Sequence, residues 1–179
     1  MAYEAAQIKV GQFTASADLS AKQYHFVKMS GNNTVTVCAA ITDVPIGVLQ
    51  NNPASGGAAE VCLFGISKVV ADGTLAAGNV IGTSADGQAD AITDVPIGVL
   101  QNAPTSGQAA EVCLFGISKV VADATLAAGD VIGTSADGQA QPLTVGTETT
   151  VYTMGIAVNA AAAGNTVEAF INATAGRAA

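Results

Sequence analysis

Residues 40–90 of this chain recur at residues 91–141 with six substitutions. The register is unbroken, so every surface that one copy offers is offered again by the other. An active site normally needs one asymmetric group of side chains, whereas stacked tandem copies suit scaffolding or multivalent contact. The repeat therefore favours a structural or binding protein, and we expect no enzymatic activity.

The same motif continues more weakly on both sides of the duplication. Residues 18–35 match the hairpin-like part of the repeat, with Gly31 aligned to Gly87, and residues 154–171 match its other part. Outer repeats diverge in this way because one of their faces lacks a neighbour of the same kind. The chain is thus predicted to contain three repeats.

The predicted domain organisation follows from this count. We expect an N-terminal arm (1–15) and a single β-rich domain (16–179). Three pseudo-repeats divide the domain at about residues 16–71, 72–122 and 123–175. Because a unit of about fifty residues with few large apolar side chains is marginally stable alone, we expect the three to share one core.

Composition and turn signals predict the fold class. Half of the residues are apolar, only 4% are aromatic and 20 are glycine, and β-branched residues are frequent between the turns. Asp86-Gly87 is a hairpin-turn signal, and the loop at 52–57, rich in proline, serine and glycine, separates two extended runs. We predict an all-β fold with little or no helix, a compact β-sandwich or barrel-like module.

Charge and hydropathy exclude several classes of partner. The net charge is −8 with only six lysines and arginines, so no basic cluster is available for nucleic acid. No apolar run reaches the roughly 18 residues of a membrane helix. The N-terminal MAYEAAQIKV lacks the pattern of a secretory signal, so we expect synthesis in the cytoplasm.

The candidate chemical groups lack partners. Cys62 and Cys113 are equivalent residues in apolar strands and are interpreted, with Cys38, as structural thiols. The only histidine, His25, cannot serve two equivalent cysteines, which disfavours a small cysteine hydrolase. The ligand spacing of a zinc site is missing as well. We predict no catalytic, cofactor-binding or metal-binding residues.

Two further motifs have a simpler interpretation. Lys68 and Lys119 could suggest the lysine of a biotin or lipoate carrier hairpin, but the usual surroundings are missing and surface lysines are favoured. Asp86 and Asp137 could suggest calcium, but each turn supplies only one carboxylate, and a calcium ion needs six or more oxygens. The turn interpretation is favoured.

The order of motifs resembles a known family. The segments AKQYHFVKMSGNNTV, IGVLQNNPASGGAAEV with GISKVVA, and MGIAVNAAAAGNTVEAFI resemble the capsid cement, or decoration, proteins of tailed bacteriophages over about residues 8–172. The resemblance implies a β-rich protein on the outer surface of the phage head that bridges major capsid subunits, without enzymatic activity or cofactor. Family members usually carry about two such units, whereas this chain carries three.

The added unit leaves the stoichiometry open. The resemblance implies a homotrimer, and counting six units per assembly gives a dimer as the alternative. A different class of function also stays open: a β-sandwich on the phage surface that binds host carbohydrate. The chain has no tryptophan and only three tyrosines for stacking on sugars.

The interaction residues are predicted near the N-terminus. Addition of the segment MAYEAAQIKVGQF as an edge strand, to a capsid subunit or a sister subunit, would pair its backbone and bury Tyr3 and Phe13. Lys9, Lys22 and Tyr24 complete the predicted interaction set.

Overall fold

The computed structural model describes residues 5–91, 95–144, 147 and 152–172, with the backbone alone for residues 5–12. It confirms the predicted all-β fold, because these residues form fourteen strands and no helix. None of the described segments is a helix that could cross a membrane. The strands are β1 (Ala5–Ala15), β2 (Phe26–Gly31), β3 (Thr34–Val37), β4 (Gly47–Leu49), β5 (Ala58–Val70), β6 (Val80–Thr83), β7 (Ala89–Ala91), β8 (Gly98–Leu100), β9 (Ala109–Cys113), β10 (Phe115–Val121), β11 (Val131–Thr134), β12 (Ala140–Pro142), β13 (Thr153–Ala157) and β14 (Thr166–Asn172).

One strand arrangement occurs three times. Four antiparallel strands lie in the order β3-β2-β4-β5, and the same order returns as β7-β6-β8-β9 and as β12-β11-β13-β14. In each set a fifth strand pairs with both outer strands, antiparallel to the last one and parallel to the hairpin strand. Each set is thereby closed into a small five-stranded barrel, and we number the barrels 1 to 3.

The closing strand always precedes the other four strands of its barrel. Barrel 1 is closed by β1, which pairs with β5 and, through Ala15, with β3. Barrel 2 is closed by the second half of β5, which pairs with β9 and is bridged from Ala71 to Ala89. Barrel 3 is closed by β10 on β14, with a bridge from Ala122 to Ala140. Each barrel therefore begins before the repeat boundary suggested by the sequence.

The thirteen-residue strand β5 serves two barrels. On one edge it pairs with β1 as far as Ile66, and on the other edge it pairs with β4 up to Cys62 and with β9 from Ile66 onward. Gly65 lies at the change of partner with a φ of 90°, a backbone conformation that glycine adopts without strain. The equivalent strand of the next repeat is interrupted at Leu114, between β9 and β10.

The apolar interior consists of three clusters of buried side chains, two of which combine residues of neighbouring barrels. The cluster of barrel 1 is built from its own strands and includes Val27, Leu49 and Val61. The other two clusters are completed by the preceding barrel. Barrel 1 contributes Phe26, Cys38, Val48 and Cys62 to barrel 2, and barrel 2 contributes Val80 and Val99 to barrel 3. Burial of these side chains holds the three barrels together.

The two junctions between barrels use the same backbone contact. The amide of Phe26 donates to the carbonyl of Gly87 at 2.7 Å, and the amide of Val80 donates to Gly138 at 2.7 Å. In each case the β-turn of one barrel sits on the first hairpin strand of the barrel before it. The junction is therefore a repeated interface with a fixed direction along the chain.

The hairpin turns confirm the turn interpretation of Asp86-Gly87 but correct one alignment. The loop closes through the amide of Ser84, which donates to Gln88 at 2.8 Å. Gly87 has a φ of 77°, and its structural counterpart in barrel 1 is Asn33, with a φ of 53°, not Gly31. Asparagine tolerates the left-handed conformation better than most residues. Matching glycine to glycine in the sequence therefore paired the wrong residues of the two turns.

Candidate functional site

The most prominent surface feature is apolar. Nine large apolar side chains are exposed among the described residues. Exposed apolar patches of this kind mark contact surfaces. Three of them lie on the outer side of the barrel 3 sheet, namely Ile117, Ile156 and Phe170, and four line a groove on barrel 1, namely Met29, Val44, Phe64 and Phe115. No described group of three or more histidine, cysteine, aspartate or glutamate side chains is placed to hold a metal ion.

The first apolar feature is a row of side chains on barrel 3. Its members lie directly opposite one another on four neighbouring strands and share the outer side of the sheet; in order across the sheet they are Ile117, Phe170, Ile156 and Val131. Ile117 is 67% exposed and Ile156 is 47% exposed. We call these four residues the tail face.

The second apolar feature is a groove of about 440 Å³ that is lined mainly by barrel 1 and also by Leu114, Phe115 and Asn172. Phe13 of β1, Val44 and Ile46 before β4, and Leu63 of β5 form one side of it, and we call these four residues the head face. Phe13, Ile46 and Leu63 are half-buried on the cluster of barrel 1, so their outer edges are accessible. The groove can accept apolar side chains.

A row of aromatic rings connects the junctions. Phe64 lies in β5, Phe115 begins β10 and Phe170 lies in β14. Their ring centroids are 5.3 Å apart in each neighbouring pair, with nearly perpendicular planes. Edge-to-face contacts of this kind add stability beyond the buried area. Phe64 and Phe115 also line the groove of the head face.

A second groove, of about 480 Å³, lies between barrels 2 and 3. Gly78, Gln101, Ser118, Lys119 and Glu168 are among its lining residues, so it is more polar than the first groove. The equivalent place between barrels 1 and 2 carries Tyr24 in the position of Gly78. The centroid of the Tyr24 ring lies 5.9 Å from the Lys68 Nζ atom. One junction therefore has an aromatic ring at the place where the other has a glycine.

The predicted interaction residues are not gathered into one patch. Tyr3 lies outside the described residues. Lys9 lies in β1 opposite Cys62, and Phe13 is part of the head face. Lys22 and Tyr24 lie in the loop before β2, away from the lining of that groove. Residues 5–15 pair with β3 and β5 of their own chain.

The cysteines are buried, as predicted. Cys38, Cys62 and Cys113 are free thiols with little or no exposed surface. Burial raises the pKa of Cys38 to about 12, and it also raises the pKa of Cys113. Because the nucleophile is the thiolate, both effects oppose reaction of these thiols at neutral pH.

The remaining polar candidates sit in structural positions. His25 is buried, its Nδ1 lies 3.0 Å from the carbonyl of Gln23, and desolvation lowers its pKa. Lys68 and Lys119 lie within strands, opposite Glu111 and Glu168, and not at the tip of a hairpin as a carrier lysine would.

The tail face was not predicted, although the sequence contains a signal for it. The alignment of residues 154–171 with the repeat places Val158 at the position of Gln50 and Phe170 at the position of Cys62. Both substitutions make an outer repeat more apolar, whereas a terminal repeat facing water is expected to become more polar.

Comparisons with known proteins give a limited result. No protein-family model and no curated protein sequence matches the chain. Among solved structures, the chain resembles the N base of the head fiber gp8.5 of bacteriophage phi29, with a TM-score of 0.48 and 22% sequence identity. The likeness covers 63% of this chain and 97% of that one. At this level it gives no information about what the chain binds.

Proposed function

We propose that this chain is a structural virion protein of a tailed bacteriophage. It is made in the host cytoplasm, binds the outer surface of the phage head and bridges neighbouring major capsid subunits, with no enzymatic activity and no cofactor. The motifs that resemble capsid cement proteins, spread over about residues 8–172, support the class of protein.

The main structural support is the presence of two apolar faces, the tail face on barrel 3 and the head face on barrel 1. A clamp needs separate contact surfaces, because it opposes the parting of two subunits only when it holds both. An interface of roughly 800 Å² per partner is enough for specific docking. The acidic charge of −8 disfavours capture by packaged DNA.

The proposed assembly is a self-associated one. A homotrimer is the first choice from the resemblance, and a dimer with six barrels is the alternative, because three barrels per chain would then match the six units of a two-unit trimer. Symmetric repetition over the shell multiplies a modest binding free energy per site.

The direct test is occupancy of the particle. Purified virions and empty expanded heads are incubated with the full chain, sedimented and examined by cryo-EM. We expect the chain in the pellet with expanded heads, and density on the outer surface at contacts between capsid subunits. Absence from purified particles together with failure to sediment contradicts the proposal.

A second test concerns the N-terminal segment. Deletion of residues 2–12 removes most of β1, so stability is measured in parallel by thermal unfolding. If the segment pairs with the capsid, occupancy falls more than the loss of folded protein explains. Unchanged occupancy of a folded variant removes Tyr3 and Lys9 from the interaction set.

Binding of host carbohydrate remains the alternative, and the exposed rings of Phe64, Phe115 and Phe170 are the feature that favours it. Sugars stack on aromatic faces, but these rings are engaged edge to face with one another. A glycan array with the full chain, and with Phe115→Ala as a matched variant, tests this function. Binding that is lost in the variant would replace the cement proposal.

A further inference from the structure

The exposed tail face corresponds to a surface that is buried elsewhere in the same molecule. Three of its positions recur in every barrel, on the outer side of the first hairpin strand, the third strand and the last strand. They are Phe26, Val48 and Cys62 in barrel 1, Val80, Val99 and Cys113 in barrel 2, and Val131, Ile156 and Phe170 in barrel 3. In barrels 1 and 2 these residues are buried, whereas Ile156 and Phe170 are exposed and Val131 is half-buried.

The head face shows the opposite pattern. Its four positions in barrel 1 are half-buried or exposed, and the same positions in barrel 2 are buried. The barrel 2 residues are Val69, Val95, Ile97 and Leu114. Val44 is 41% exposed while its counterpart Val95 is 2% exposed, although the two residues are identical. The difference arises because barrel 1 covers the positions of barrel 2, whereas the barrel 1 positions line an open groove whose other residues include Phe115 and Asn172 of the same chain.

Each internal junction therefore joins a tail-type surface to a head-type surface. The chain forms this contact twice and leaves one surface of each type open among its described residues. Surfaces that differ from each other but are mutually complementary make a heterologous, head-to-tail contact when two copies meet.

A hydrogen-bonded glutamine–serine pair is present at both internal junctions, and its positions carry apolar residues at the open head and the open tail. Gln50 donates through Nε2 to the Ser67 hydroxyl at 3.0 Å, and Gln101 donates to Ser118 at 2.7 Å. At the tail, Val158 replaces the glutamine and is 47% exposed. At the head, Val10 occupies the register position of the serine, opposite Val61 as Ser67 lies opposite Val112. Replacement of both partners by apolar residues keeps the pair matched, whereas replacement of one would leave a polar group unsatisfied.

The chemistry of the tail also argues against a solvent-facing end. Relative to barrel 2, cysteine becomes phenylalanine at 170 and valine becomes isoleucine at 156. A larger apolar surface at an end is costly in water, so these changes point to a partner on this face.

We propose that the tail face of one copy docks on the head face of a second copy and repeats the internal junction between chains. The inference specifies the surface for the self-association in the proposed function, and it rests on that part of it. Ile156 and Phe170 then enter the groove beside Phe13, Ile46 and Leu63, and Val158 meets the register position of Val10.

Complementation by two variants tests the direction of the contact. Ile156→Asp places a charge in the tail, and Val44→Asp places one in the head; both positions are exposed, so folding is preserved. An unpaired charge in an apolar interface is strongly unfavourable, and we expect each variant alone to be monomeric, with association weakened about 100-fold. Mixed in equal amounts, they share one intact tail-to-head contact and form a species of twice the 17.6 kDa chain mass, measured by native mass spectrometry.

The control for these two variants is a charge placed away from both faces. Ala54→Asp adds the same charge in an exposed loop where the second copy of the repeat carries Thr105, and it should associate as the wild type does. If the mixture does not recover a heterodimer, the contact is not head-to-tail. If the wild type is monomeric at all concentrations but both variants lose binding to heads, the faces dock on capsid protein. Either result overturns the inference.

An engineered disulfide between chains is a second, independent test of the head-to-tail contact. A Cβ on Gly138 would lie 3.4 Å from the Ala91 Cβ across the junction of barrels 2 and 3, close to the spacing of a disulfide. The equivalent residues at the open ends are Asn33 at the head and Pro142 at the tail. We expect the Asn33→Cys and Pro142→Cys double variant to link between chains under oxidation. The Gly138→Cys and Ala91→Cys double variant is the control and links within one chain. Linkage in the control alone overturns the proposed interface.

These results separate the inference from the proposed function. An oligomer that survives both charged variants leaves the cement function intact and excludes this interface. Head-to-tail complementation by a chain that is absent from virions supports this interface and contradicts the cement function.

Discussion

The two near-identical copies at 40–90 and 91–141 do not have the same environment. Leu63 in the first copy is half-buried at the groove, whereas Leu114 in the second is buried under barrel 1. At another position the first copy is the more buried one: Val80 is buried in the cluster of barrel 3, whereas its counterpart Val131 is half-buried at the tail face. The same residue can therefore be core or surface, and its place in the row of barrels decides which.

Truncation at the head positions should give the largest contrast. Ile97→Ala removes a buried side chain and is expected to lower the free energy of unfolding by about 2–4 kcal/mol. Ile46→Ala removes its half-buried twin, and we expect about half of that loss. Urea unfolding at low protein concentration measures both. Equal losses in dilute monomer would show that the groove is covered by the chain itself.

Glycine at the start of the hairpin gives the next contrast. Gly78 and Gly129 have φ values of 86° and 93°, and alanine in this region costs about 1–2 kcal/mol at either position. At Gly78 the new Cβ would also lie 2.9 Å from Val121 Cγ2, while at Gly129 nothing lies within 4 Å. We expect Gly78→Ala to lose about 1–3 kcal/mol more than Gly129→Ala in thermal unfolding. Similar melting temperatures would contradict the close packing of this junction.

The junction hydrogen bonds should have a smaller effect. Ser67→Ala leaves the amide of Gln50 without its side-chain partner inside the protein, and we expect a loss of about 1–2 kcal/mol. Ser118→Ala should behave alike at the next junction. Val158→Gln, at the open tail, should leave the stability of the monomer unchanged. Chemical unfolding of the three variants checks the series, and a loss for Val158→Gln would indicate that the tail is covered.

The smallest expected effect is pH-dependent. Desolvation lowers the pKa of His25 in the folded state, whereas the unfolded chain binds the proton from about pH 6.5. The unfolded state therefore takes up more protons on acidification, and the stability falls as the pH drops through this value. His25→Asn introduces the residue found at the equivalent position, Asn79, and should remove this dependence. Melting temperatures between pH 7.5 and 5.5 provide the check, and an unchanged slope would place the pH dependence on other groups.

The fold class followed from the sequence because its signals are local. Asp86-Gly87 and the loop at 52–57 mark the turns, and the duplication marks the unit. The exchange of a strand between neighbouring barrels could not be predicted, because the pairing of β5 with β9 depends on contacts between distant residues. Asn33 shows the same limit on a smaller scale: its left-handed conformation, not its identity, makes it the counterpart of Gly87.

The candidate surface was predicted less well than the fold. Phe13 was predicted as an interaction residue and lines the groove of the head face, but its role in an interaction stays a prediction. Ile156 and Phe170 were not singled out, since apolar residues at these positions of the repeat are ordinary core residues. Only their location at the end of the row exposes them, and location follows from tertiary structure.

The strand that serves two barrels has a consequence for how such a gene can grow. Each barrel takes its closing strand from the repeat before it, so insertion of a segment such as residues 91–141 supplies four new strands and passes the closing strand onward. Both old ends keep their sequences, and the new junction copies one that already works. A duplication by unequal recombination can therefore produce a folded, longer protein in one step, and the six differences between the copies are what a young event of this kind leaves behind.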